Sequence, residues 1–325
     1  MNEPYLHIKN LKVNFKTFEG SKNVLNIDEL KIFKGEAYGI IGESGTGKTI
    51  LALSILKLIE SPPGEIISGE ILLEGEDLLK LSSKSLQKKV RGRKISMIFQ
   101  DPMSTLNPVF TVGSQLENVI IETQGINRKK AYEKSVEMIK TVKLSDAERV
   151  MDKYPHELSG GQRQRVIIAL ALSCGADFII ADEPTRNLDV TIQAGILKLM
   201  KEIQKEMNVT ILFIANNPGL VSSICDKAGI LYRGQIIEKG TTREVLKSPK
   251  HPYTFALLNA VPRSKEDRVD LNKFIMKETE ESPADGCIFF SKCLKRKESC
   301  KKPQSLLKIN DNHYVRCHLW EEDIV

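Results

Sequence analysis

The chain has 325 residues, 41% of them hydrophobic, with 48 basic and 42 acidic residues and a net charge of +6. That length suits one large domain plus an appendage or two modest domains, and the charge is too evenly matched to argue for nucleic acid. No apolar run approaches the roughly 20 residues of a membrane span. The opening MNEPYLHIKN lacks a basic stretch followed by an apolar one, so a chain working in the cytosol is expected.

In chain order, YLHIKNLKVNF and EAYGII read as strands around the polar loop TFEGSKN. Residues 42–49, GESGTGKT, follow a strand and open the helical stretch KTILALSILKLIE, the context required of G-x-x-x-x-G-K-[ST]. Backbone N–H groups from Gly42, Glu43, Ser44, Gly45, Thr46 and Gly47 can curl around an anion at the positive end of a helix dipole. Lys48 then reaches the β- and γ-phosphates, and the Thr49 hydroxyl is a ligand for Mg²⁺.

After the strand ISMIF, the strand signal fades over residues 106–152, which predicts a helical insert. FIIADEPT supplies an acidic strand end: Asp182 to hold magnesium and Glu183 to polarise an attacking water. No Asn-Lys-x-Asp sequence is present, which favours ATP over GTP. Strand-like runs (FIIA, VTILFI, AGILY) alternate with helical stretches such as TIQAGILKLMKEIQKEM, predicting α/β layering on a mostly parallel sheet. HPYTFALLNAVPR reads as a further helix start, Pro252 being tolerated in a first turn. SKEDRVD and KETEESPADG mark a linker before four cysteines, among which KCLKRKESCKK gathers six basic residues that could face anionic lipid, an acidic partner or water. Cys174 and Cys225 lie in apolar-rich segments and read as small core residues.

LSGGQRQR at 158–165, with FQDP upstream and DEPT and LD downstream, resembles the ATP-binding cassette ATPases over roughly residues 5–260. ISMIFQDPMSTLNP, YPHELSGGQRQRV, KHPYTFALLNAVP and the cysteine tail narrow the likeness to ATPase subunits of bacterial oligopeptide and dipeptide importers, with the nickel importers close by. The resemblance implies an α/β P-loop NTPase core of cassette type: a mostly parallel sheet flanked by helices, antiparallel N-terminal strands, an inserted helical subdomain and an irregular Cys-rich C-terminal extension. The domains expected are 1–262, with the helical part at roughly 101–170, and 263–325.

It also implies head-to-tail pairing with a second cassette, expected to be a different chain. ATP is then sandwiched between the phosphate loop of one chain and Ser159, Gly160, Gly161 and Gln162 of the other, with Asp189 contacting the partner. Gln100 would ligate magnesium and link nucleotide to two transmembrane permease subunits, which an extracytoplasmic binding protein serves. The chain would sit peripherally on the cytoplasmic face of the membrane, with no nucleic-acid partner. Phe15 is the candidate for stacking on adenine, with Phe18 and Tyr5 as competitors.

In this family the strand matching ILFIANNPGLV ordinarily ends in Thr-His-Asp, whose histidine touches the γ-phosphate. Here Ala215, Asn216 and Asn217 stand in those places. Asparagine can donate a hydrogen bond but carries no positive charge, and losing a positioned donor to a transition-state oxygen typically costs about 10²- to 10³-fold in rate. The expectation is a site that binds ATP and hydrolyses it slowly, Asn216 serving in place of the histidine. The alternative is that Asn216 reaches the phosphate, directly or through water. TRNLD departs from the commoner Thr-Thr-Ala-Leu-Asp at Arg186 and Asn187.

Related importer ATPases carry a tail resembling a [4Fe–4S] site, which makes Cys287, Cys293, Cys300 and Cys317 its expected ligands; their spacing lacks the tight pairs of structural zinc sites. Zinc with His318, or reduced thiols without metal, are the alternatives. The leading function is an ATP-driven motor of peptide import. The others are a nickel importer ATPase, a soluble cassette ATPase of translation or repair, and a regulatory subunit with little turnover.

Overall fold

The protein is described here by a computed structural model covering residues 3–18, 20–101, 105–260, 282–283 and 285–320. The linker read at 264–270 and most of that at 277–286 lie outside the described residues.

β1 (Leu6–Thr17) and β2 (Gly20–Ile32) form a long antiparallel pair, and β3 (Ala37–Ile41) runs into the loop before α1 (Lys48–Ile55). β4 (Gly64–Leu73) returns along β1, and β5 (Glu76–Asp77) completes a four-stranded sheet ordered β2-β1-β4-β5. α2 (Ser83–Lys89) and β6 (Ile95–Ile98) precede a helical stretch that includes α3 (Val112–Gln124), α4 (Arg128–Thr141), α5 (Ala147–Asp152) and α6 (Gly160–Ser173). Then follow β7 (Phe178–Asp182), α7 (Val190–Glu206), β8 (Thr210–Ala215), α8 (Pro218–Ile224), β9 (Lys227–Tyr232), β10 (Gln235–Thr241), α9 (Thr242–Lys247) and α10 (Pro252–Asn259). β11 (Leu307–Asn310) and β12 (His313–Val315) end the described strands.

The larger sheet is ordered β11-β12-β10-β9-β3-β8-β7-β6. Its strands from β9 to β6 are parallel, whereas β10, β12 and β11 continue antiparallel at one edge. Both faces of the parallel part are covered, so its strands are apolar throughout and the period of two sorts side chains between two cores. Ile40, Phe178, Ile180, Leu212 and Ile214 face α1 and the N-terminal sheet. Ile41, Ile179, Ala181, Ile211 and Phe213 face the helices.

Two expectations need correction. The helical pattern of KTILALSILKLIE stops at Ile55, because Lys57 has a φ of +50° and two prolines follow at 62 and 63, which a helix does not accommodate. The extension is also less irregular than expected, since β12 pairs with β10 and places the tail on the edge of the main sheet. A buried Glu238 fastens that junction: His313 Nε2 lies 2.7 Å from its Oε1, and the N–H groups of Lys250 and His251 donate to its two oxygens at 2.7 and 2.9 Å.

Candidate active site

Parallel register assembles the site. Ile41 lies opposite Ala215 and Ile214 opposite Asp182, so Gly42, Asn216 and Glu183 emerge side by side past the C-terminal ends of β3, β8 and β7. The loop from 42 to 47 closes on α1 through Gly45 and Gly47, at φ +80° and +103°, a region a side chain would strain. Lys48 is buried, and its ammonium donates to the carbonyls of Gly42 and Glu43 at 2.9 and 2.8 Å. Burial lowers its pKa, while the carboxylates of Glu183, Asp182 and Glu43 pull it back up.

Thr49 Oγ1 donates to Asp182 Oδ2 at 2.7 Å. Asp182 Oδ1 is buried with no hydrogen-bond partner among the described residues. Burial raises the Asp182 pKa; the Thr49 hydrogen bond opposes the shift and Glu183 adds to it. An orphaned anionic oxygen beside a hydroxyl suits a hard cation, so the residues fit magnesium. Glu183 takes a φ of +45°, with its N–H held by Ile214 O at 2.9 Å. Its Oε2 accepts from Gln100 Nε2 at 2.8 Å and pairs with Arg186 Nη1 at 3.4 Å. A cavity of about 240 Å³ is lined by Ser44, Gly45, Gly47, Lys48, Thr49, Gln100, Glu183 and Arg186, with Val24 and Ile50.

The two asparagines part company. Among the described residues, Asn216 Nδ2 reaches only Ser44 Oγ, at 3.4 Å. Asn217 caps α8, accepting from Gly219 N at 2.8 Å with Pro218 in the first turn. Asn-Pro-Gly is a legible helix start that went unread beside the missing histidine.

Ser159 to Gln162 do not line the phosphate cavity. Ser159 caps α6, and a Cβ added at Gly161 would meet Ile192 at 2.9 Å, so the signature packs near the start of α7. Asp189 caps α7, accepting from Ile192 N at 3.0 Å. Phe15 packs against the N-terminal core next to Gly64, and it too is absent from the cavity wall. Of its competitors, Tyr5 is buried with its hydroxyl on Asp177, and Phe18 is fully exposed.

The four tail cysteines are buried and unpaired by disulfides, and Cys317 feels the other three electrostatically. Burial pushes Cys287 up to about 11 and Cys317 up to about 12, values of neutral thiols. No group of three or more His, Cys, Asp or Glu among the described residues is arranged to hold a metal ion, so the iron–sulfur expectation gains no support.

A family profile described as ABC transporter matches residues 25–186, and one described as oligopeptide/dipeptide transporter, C-terminal region, matches residues 237–300. The oligopeptide transport ATP-binding protein OppD of Bacillus subtilis is 40% identical over 321 residues, covering 98% of this chain and 89% of that one. The oligopeptide transport ATP-binding protein AppD of the same organism is 41% identical over 98% of this chain and 97% of its own. The chain is an ABC transporter ATPase of the oligopeptide/dipeptide branch. A solved relative, the cassette MJ0796 in a dimeric post-hydrolysis state with ADP and phosphate, matches this ABC ATPase with a TM-score of 0.64 and 27% identity, over 73% of this chain and 99% of that one. ATP binding belongs to this family of ABC cassettes. No helix among the described residues of the ATPase is long and apolar enough to cross a membrane.

Proposed function

We propose that this ATPase is the motor subunit of a peptide importer, acting on the cytoplasmic face of a membrane with a second cassette chain, two permease subunits and, through them, an extracytoplasmic binding protein. The observation that carries this reading is the likeness, over 98% of the chain, to peptide-transport ATP-binding proteins, combined with a phosphate loop that meets Asp182 and Glu183 past the C-terminal ends of the parallel strands.

In that role, Lys48 and the loop amides bind the phosphates, and Glu183 orients the attacking water and takes its proton. Gln100 holds the Glu183 carboxylate at 2.8 Å, which ties the base to the segment leading into the helical insert. Magnesium, which Thr49, Asp182 and Gln100 would hold, neutralises charge on the β- and γ-phosphate oxygens when bound. Ser159 to Gln162 and Asp189 act across the dimer on the partner's nucleotide, and Phe15 stacks on adenine. Asn216 makes the phosphate-loop site slow: its amide carries no charge and sits 3.4 Å from Ser44 Oγ.

The test is ADP formed per ATPase pair in a single closure of the assembled complex, with and without peptide-loaded binding protein. Stimulation by peptide and one ADP per pair, rising to two in Asn216→His, are expected. Two ADP in the unmodified complex removes the slow site, and indifference to peptide removes the import role. A cluster on Cys287, Cys293, Cys300 and Cys317 rests on the tail's resemblance to related importer ATPases alone, since no metal-holding group is found among the described residues. About four iron and four sulfide per chain in anaerobically purified protein would establish it, and the absence of both would exclude it.

A further inference from the structure

Arg186, one of the two departures in TRNLD, stands at the cavity where ATP's phosphates go. The turn that carries it is fixed by Arg186 N donating to Glu183 O at 3.0 Å, and is bracketed by positive φ at Glu183 and Asn187, +45° and +62°. This geometry aims the side chain back over the acidic strand end. One nitrogen, Nη1, pairs with Glu183 Oε2 at 3.4 Å, while the side chain remains half exposed.

A single contact of that length on a half-exposed group holds weakly. The guanidinium has five donors in a planar fork, and only one is engaged by Glu183. Arg186 shares the cavity wall with Ser44, Lys48, Thr49 and Gln100, so two cations face one carboxylate there. Its charge is felt by both Lys48 and Asp182. Asn216, on the Ser44 side, has no charge to give.

We propose that Arg186 is a ligand of ATP's terminal phosphate, bridging it to Glu183 and supplying the positive charge that Asn216 lacks. A terminal phosphate offers three acceptor oxygens and nearly two negative charges, which a guanidinium fork matches better than one carboxylate oxygen. The proposal rests on the ATP site and not on the rate assigned to Asn216.

The experiment measures the affinity of the full-length chain for magnesium ADP and for the magnesium complex of a non-hydrolysable ATP analogue with an imido bridge between the last two phosphates. In Arg186→Ala the analogue should weaken about five- to tenfold, while ADP changes less than twofold and so reports intact folding. Arg186→Lys should recover most of the loss, and Asn216→His added to Arg186→Ala should recover part of it. Equal losses for both nucleotides, or none, overturn the proposal. Faster hydrolysis in Arg186→Ala with both affinities unchanged also overturns it, making Arg186 a restraint on Glu183 instead. The slow-site reading fails on a different result, an ADP count that Asn216→His does not move.

Discussion

Two helix starts in this molecule treat their own first-turn N–H groups in opposite ways. α1 begins at Gly47, with no side-chain cap on its first turn. α6 begins at Ser159, where a capping box is complete: Ser159 N–H donates to Gln162 Oε1 at 3.1 Å and Gln162 N–H to Ser159 Oγ at 3.3 Å. The first start leaves its N–H groups for a ligand, and a buried lysine and a shaped cavity stand beside it. The second satisfies itself and stays exposed at Ser159 and Gly160, as the proposed role on a partner chain's phosphate requires.

The comparison breaks most easily at Lys48. Lys48→Ala should lower hydrolysis by about 10²- to 10³-fold and weaken ATP binding in the isolated chain. Ser159→Ala should leave that binding unchanged and cost only about 1 kcal/mol of stability. Calorimetric titration and thermal melting of both variants read this directly, and a Ser159→Ala chain that loses ATP would mean the two starts share one nucleotide.

A third helix start sharpens the contrast. His251 caps α10, its Nδ1 accepting from Tyr253 N at 3.0 Å, and burial lowers its pKa to about 3. The unfolded chain takes up a proton near pH 6.5 that the folded chain refuses until about 3. Stability from this group is therefore full above about pH 6.5 and falls by roughly 1.4 kcal/mol per pH unit below it. Urea midpoints measured from pH 7 to 5 should drop in the unmodified protein and flatten in His251→Asn, which keeps a cap without the titration. An effect as small as that of Ser159→Ala belongs to Asn217→Ala, about 1 kcal/mol in stability with ATP affinity retained. A collapse of ATP binding there would give Asn217 a part in the site beyond its cap.

Much of the site was readable because phosphate recognition uses consecutive residues. Residues 42–49 carry their own turn geometry and helix start, and Asp182 and Glu183 end an apolar strand that only a two-sided sheet would bury. The C-terminal strands were missed because four residues of alternating polarity signal weakly until an edge such as β10 receives them. Arg186 was visible as a departure without a reason, since nothing local says that a turn with two positive φ values returns its side chain over Glu183.

Sequence by itself determined the chemistry that sits on contiguous backbone: the anion-binding loop, the acidic strand end and the capped starts of α6, α7 and α8, each specified within a few residues of hydrogen-bonding reach. Tertiary structure alone decided which of these meet. The order β3-β8-β7-β6 sets Asn216 against Ser44 and brings Gln100 onto a carboxylate oxygen of Glu183. Those contacts span up to 172 positions along the chain, a separation that only the register of buried parallel strands brings within hydrogen-bond distance.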